Sequence, residues 1–138
     1  MKKIILTSIM GIVILNANDK FSLTISVDKL RCSKGVVQFS IYNKDKSIPN
    51  DYYKKQKANI NNKSSQTIFK NLPKGKYAIS ILHDEDLDGE IDKGMILPKE
   101  GVGFSNYKSI NILNKPTFKK ASFELNKDTK KKITVIYF

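Results

Sequence analysis

The sequence predicts an all-β domain, a β-sandwich or small barrel of about seven short strands. Two observations carry this. Apolar residues recur with period two, the spacing of strands with one buried face: Phe21, Leu23, Ile25 and Val27 alternate with Ser22, Thr24 and Ser26, and Val37, Phe39 and Ile41 with Gln38, Ser40 and Tyr42. Turn chemistry then separates the apolar runs at short intervals, as in Ser33-Lys34-Gly35, Asn61-Asn62-Lys63, Pro73-Lys74-Gly75 and Asn126-Lys127-Asp128.

Taken in chain order, the first seventeen residues stand apart. Lys2-Lys3 precede an apolar stretch, Ile4 to Leu15, and Asn16-Ala17 follow with a small residue suited to cleavage. This is the layout of a signal peptide, so residues 1–17 are expected to be removed and 18–138 to form a single domain. The apolar stretch is too short for a good membrane span, so an integral membrane protein is not expected. No Cys follows it directly, which argues against a lipid anchor. A periplasmic or secreted location follows.

Strands are expected at Phe21–Val27 and Val37–Tyr42. Pro49, Asn50 and Asp51 with the polar run to Lys57 suggest a loop with one helical turn. Short strands at Lys57–Ile60 and Gln66–Lys70 flank the Asn-rich turn. In the next strand both sets of alternating residues are mostly apolar: Tyr77, Ile79 and Ile81 on one side, Ala78 and Leu82 on the other. That predicts burial on both faces. A long loop runs from Asp84 to about Thr117, followed by strands at Phe118–Leu125 and Lys132–Phe138. Phe21, Phe39, Phe69, Tyr77, Phe123 and Tyr137 are the expected aromatic core, each stabilising by roughly 1.5–3 kcal/mol when fully buried.

The chain has 138 residues, 25 Lys+Arg against 13 Asp+Glu, and a net charge of +12. All the basic residues except Arg31 are Lys. Sequence-specific reading of nucleic acid leans on the Arg fork, so it is not expected. The single Cys32 excludes a disulfide within the chain. It is expected to be buried and inert or paired between chains.

The acidic residues are concentrated. Asp84, Glu85, Asp86, Asp88, Glu90 and Asp92 fall in DEDLDGEID with no Lys or Arg among them. Asp at positions one, three and five and Gly89 at six match the start of a calcium loop, because alternate carboxylates in a tight turn converge on one point. The Glu90 carbonyl and Asp92 complete the early positions. Position twelve is Met95, not Glu, and Glu100 is the carboxylate that could replace it if the chain folds back. The expected ligand set is therefore Asp84, Asp86, Asp88, Glu90, Asp92 and Glu100, all hard oxygen donors suited to Ca²⁺. His83, the only His, stands at the strand end as a candidate ligand, hydrogen-bonding partner or general base. Phe104, Ser105 and Asn106 follow Glu100 and could wrap back over the acidic loop, which makes them, with His83, the candidate ligand-binding residues. Phe104 and Tyr107 are either platforms for a glycan or peptide or pins for a long loop.

NLPKGKYAISILHDEDLDGEIDKG, LPKEGVGFSN and KPTFKKASFEL together resemble the bacterial domain-of-unknown-function family 2141. Its members carry LPxGxYA, HDxNxNGxxD, PxEGxGFSN and PxFxxAxF. Asp86 and Asp88 stand here where the family often has Asn. The resemblance implies an exported, antiparallel Greek-key β-sandwich, immunoglobulin-like or transthyretin-like, with one long loop after a central strand. It implies no activity.

Three functional readings follow. The first is a non-enzymatic exported module whose acidic loop holds Ca²⁺ and presents a binding surface to a cell-envelope component, glycan or peptide. The second is a metal-dependent hydrolase using His83 and loop carboxylates, although no second His and no nucleophile–base pair supports it. The third is a Lys-rich protein that binds polyanions or the envelope.

Overall fold

The computed structural model describes residues 19–45, 48–90 and 99–138. The expected signal peptide and Asp92 lie outside the described residues. Eight strands and one short helix are described: β1 Lys20–Val27, β2 Val36–Tyr42, β3 Lys54–Asn59, β4 Ser65–Pro73, β5 Gly75–Asp84, β6 Gly101–Phe104, α1 Phe118–Ala121, β7 Phe123–Leu125 and β8 Thr129–Lys132. They form two packed sheets, one ordered β4-β1-β8 and the other β3-β2-β5-β6, with β7 also paired to β5. The fold is an all-β sandwich.

The period-two pattern explains the core. Leu23, Ile25 and Val27 of β1 and Phe69 and Leu72 of β4 meet Val37, Phe39 and Ile41 of β2 and Tyr77, Ile79 and Ile81 of β5 between the sheets. The opposite face of β5 is buried as well. There Ala78 and Leu82 join Tyr42, Val102, Phe104, Tyr107 and Ala121 in a second cluster beneath residues 104–121. Of the expected aromatic core, Phe39, Phe69 and Tyr77 are buried, while Phe21, Phe123 and Tyr137 are half-buried.

Several expected elements shift, each for a local reason. β3 starts at Lys54, inside the expected loop, because this edge strand alternates among polar residues and has no apolar signature. β6 lies within the expected long loop; its two apolar side chains share a face, and its glycines occupy the other. Residues 118–121 form a helical turn rather than a strand, because the Thr117 side chain caps the Lys120 N–H. β8 forms at Thr129–Lys132, upstream of the expected strand.

β8 pairs parallel with β1, so the sandwich is not wholly antiparallel. The chain then leaves the first sheet and reaches the second, where Ile136 bridges to Val102 of β6. Gly101 and Gly103 make that crossing possible. A Cβ on Gly103 would stand 2.6 Å from the Thr134 carbonyl oxygen, and one on Gly101 would overlap the Tyr137 ring. Cys32 is partly exposed rather than buried, with no disulfide partner.

Candidate metal centre

β5 ends at Asp84, and β6 begins immediately after Glu100. The two strands pair antiparallel with His83 opposite Gly101, so both ends of the intervening segment are brought together. Gly35 lies against the same place with φ +74°, where any side chain would run into the Asp84 carbonyl.

Within the loop the carboxylates organise the backbone. Asp84 Oδ2 accepts from the Gly89 N–H at 2.9 Å. Asp86 Oδ1 accepts from the Asp88 N–H at 3.2 Å, and Asp88 Oδ1 from the Glu90 N–H at 2.8 Å. Gly89, at φ +73°, supplies the bend expected of the sixth position. From the far side, Glu100 Oε1 accepts from the Glu85 N–H at 3.0 Å.

Asp84, Asp86, Asp88 and Glu100 each offer an oxygen to a group whose members all lie within 4.8 Å of one another. Oxygens on opposite sides of a Ca²⁺ ion stand roughly 5 Å apart, at about 2.3–2.6 Å from the metal. The set therefore fits one shared hard cation. Asp84 and Glu100 are buried, and Asp86 and Asp88 are exposed. Asp84 Oδ1 and Glu100 Oε2 are buried with no hydrogen-bond partner among the described residues. Burial and the nearby charges of Asp86 and Asp84 push the Glu100 carboxyl up to about 7. The Asp88 N–H holds Asp86 below the usual carboxylate range. A buried carboxylate oxygen without a partner is costly unless a cation or a proton meets it.

Glu90 is exposed and outside the convergent group; its N–H caps Asp88. Glu85 points elsewhere. Its carboxylate pairs with Arg31 Nε at 2.5 Å, and Arg31 holds it below the usual range. Arg31 Nη2 donates to the Lys99 carbonyl at 3.2 Å, so one guanidinium ties the residue after Asp84 to the residue before Glu100. Arg31 also lies over the Tyr137 ring, 4.8 Å from its centroid.

His83 is fully buried. Nε2 donates to the Lys34 carbonyl at 2.9 Å, and Nδ1 lies 2.7 Å from the Tyr137 hydroxyl. The Arg31 N–H already donates to that hydroxyl, leaving its proton for Nδ1. Both ring nitrogens are engaged, and His83 is not part of the carboxylate group. Cys32 and Glu85 stand near it, but no free lone pair on the ring faces them.

Phe104 and Ser105 are turned inward, and Asn106 is exposed but spent on backbone contacts. Phe104 and Tyr107 pack edge to face with centroids 6.2 Å apart, both buried. Ser105 Oγ donates to the Ala121 carbonyl and accepts from the Ile79 N–H. Asn106 Nδ2 donates to the Lys120 and Ser122 carbonyls. These side chains pin the loop and α1 onto β5, and the rings of Phe104 and Tyr107 form no exposed platform. The clasp of Arg31, Lys34 and Tyr137 behind the site had one sequence signal: Arg31 is the only Arg in a chain otherwise basic through Lys.

No curated protein and no solved structure gives a significant match to the chain. The model of family DUF2141, described as an uncharacterized protein conserved in bacteria, matches residues 25–134. The chain belongs to that family.

Proposed function

We propose that this member of the bacterial family is an exported, non-enzymatic β-sandwich module that binds Ca²⁺ through Asp84, Asp86, Asp88 and Glu100. The observation that carries the reading is the pair of buried, unpartnered oxygens, Asp84 Oδ1 and Glu100 Oε2, within a group of four convergent carboxylates. The ion neutralises charges that otherwise repel, and it joins the end of β5 to the start of β6. Export is supported by the charged, apolar and small-residue order of residues 1–17. The rigid acidic loop is then the surface offered to an envelope component. No observation favours the hydrolase reading, because His83 has no free nitrogen.

Isothermal titration of the metal-free protein is the direct test. Saturable binding of one Ca²⁺ per chain is expected, with a rise in Tm that grows with ligand concentration. Mg²⁺ competes poorly, since it demands a smaller octahedral shell. Asp84→Asn and Glu100→Gln each weaken binding by at least roughly tenfold, a loss that even outer-shell changes around a metal can cause. Absence of both binding heat and a thermal shift at millimolar Ca²⁺ would sink the proposal.

A further inference from the structure

The loop between β6 and α1 presents two aliphatic side chains to solvent. Leu113 is 96% exposed and Ile112 65%. They sit on a built turn. Asn111 Oδ1 accepts from the Leu113 N–H at 2.9 Å and the Asn114 N–H at 2.8 Å, and Asn114 Nδ2 donates to the Ser109 carbonyl at 3.1 Å. The base of the loop is tied down as well: the Tyr107 hydroxyl donates to the Lys115 carbonyl and accepts from the Thr117 N–H. An ordered turn that holds Leu113 in water forgoes burial that would otherwise stabilise the fold.

The surroundings identify what would cover it. Residues 101–123 contain Lys108, Lys115, Lys119 and Lys120 and no Asp or Glu. All four lysines are exposed, and Lys120 Nζ reaches Asn114 Oδ1 at the tip. We propose that the Ile112–Leu113 tip and its lysine collar dock the domain on an anionic lipid surface. Two aliphatic side chains on a convex tip are far smaller than the roughly 1,000 Å² a specific protein interface needs. They suffice to enter the headgroup layer. Lysines act as point charges near lipid phosphates and require no fixed fork geometry. The tip follows the Phe104 end of β6, whereas the carboxylate group lies at the Glu100 end, so docking does not depend on Ca²⁺.

The chain has no Trp, so Leu113→Trp gives a single fluorescent reporter. With phosphatidylglycerol–phosphatidylcholine vesicles in EDTA, its emission is expected to move to shorter wavelength and to be quenched by brominated acyl chains. Pure phosphatidylcholine vesicles give a much smaller change. In co-sedimentation, Ile112→Asn with Leu113→Asn weakens binding by at least roughly tenfold. The Tm stays unchanged, because neither side chain is buried. Lys119→Gln and Lys120→Gln each weaken binding by roughly fivefold. Absence of vesicle binding overturns the proposal. So does binding without an emission shift, or binding equal in the tip variant, since charge elsewhere on the chain would then carry it.

Discussion

Glu100 is the residue on which the acidic site turns. Its folded carboxyl titrates at about 7, above the ordinary value of 4.5, because it is buried beside Asp86 and Asp84. A raised carboxyl favours folding while protonated. The metal-free protein therefore has this contribution in full below about pH 4.5 and loses it as pH rises through about 7. Tm measured against pH in EDTA is expected to fall over that window in the wild type. Glu100→Gln removes that part of the slope, and saturating Ca²⁺ removes it too, since the ion takes the place of the proton. A wild-type slope identical to that of Glu100→Gln would contradict the assignment. At this scale much of the candidate site was legible in the sequence. The Asp84, Asp86 and Asp88 spacing and Gly89 are local features, and a turn of nine residues reads directly. Glu100 was nameable only on the condition that the chain folds back, because its approach depends on β5–β6 pairing. The alternation of Ala78 and Leu82 announced a second buried face on β5, but no local pattern says that Phe104 and Ser105 are what cover it.

Among the elements, β1, β2 and β5 were legible because each places apolar side chains on a fixed face. β3 was legible only in its second half, through the strand expected at Lys57–Ile60, and β8 was not, because backbone pairing holds them while their side chains are mostly Lys. β6 is the most informative miss. Its glycines are there for the segment after β8, a neighbour distant in sequence, and not for a turn of their own. Gly103→Ala is accordingly expected to destabilise by on the order of 1–3 kcal/mol, as overpacking does. Chemical denaturation would measure it. The contact displaced is backbone at Thr134, which has little freedom to yield, whereas Ala at the open Gly75 should be tolerated. Equal effects at the two positions would contradict the packing account.

For the whole molecule, stability rests on two cores and not on covalent cross-links. Cys32 is free, so Tm is expected to be the same with and without reductant. A decrease on reduction would reveal a bond between chains. The parallel pairing of β1 with β8 has a different implication, one of timing. β1 lies between β4 and β8, and the Ser22 N–H reaches Asp128 across a separation of 106 residues. On a ribosome β1 emerges well before β8, so one of its two hydrogen-bonding edges waits for a partner distant in sequence. Such long-range closure folds slowly. Until β8 emerges, β1 carries an unpaired strand edge, the kind that invites pairing with another chain.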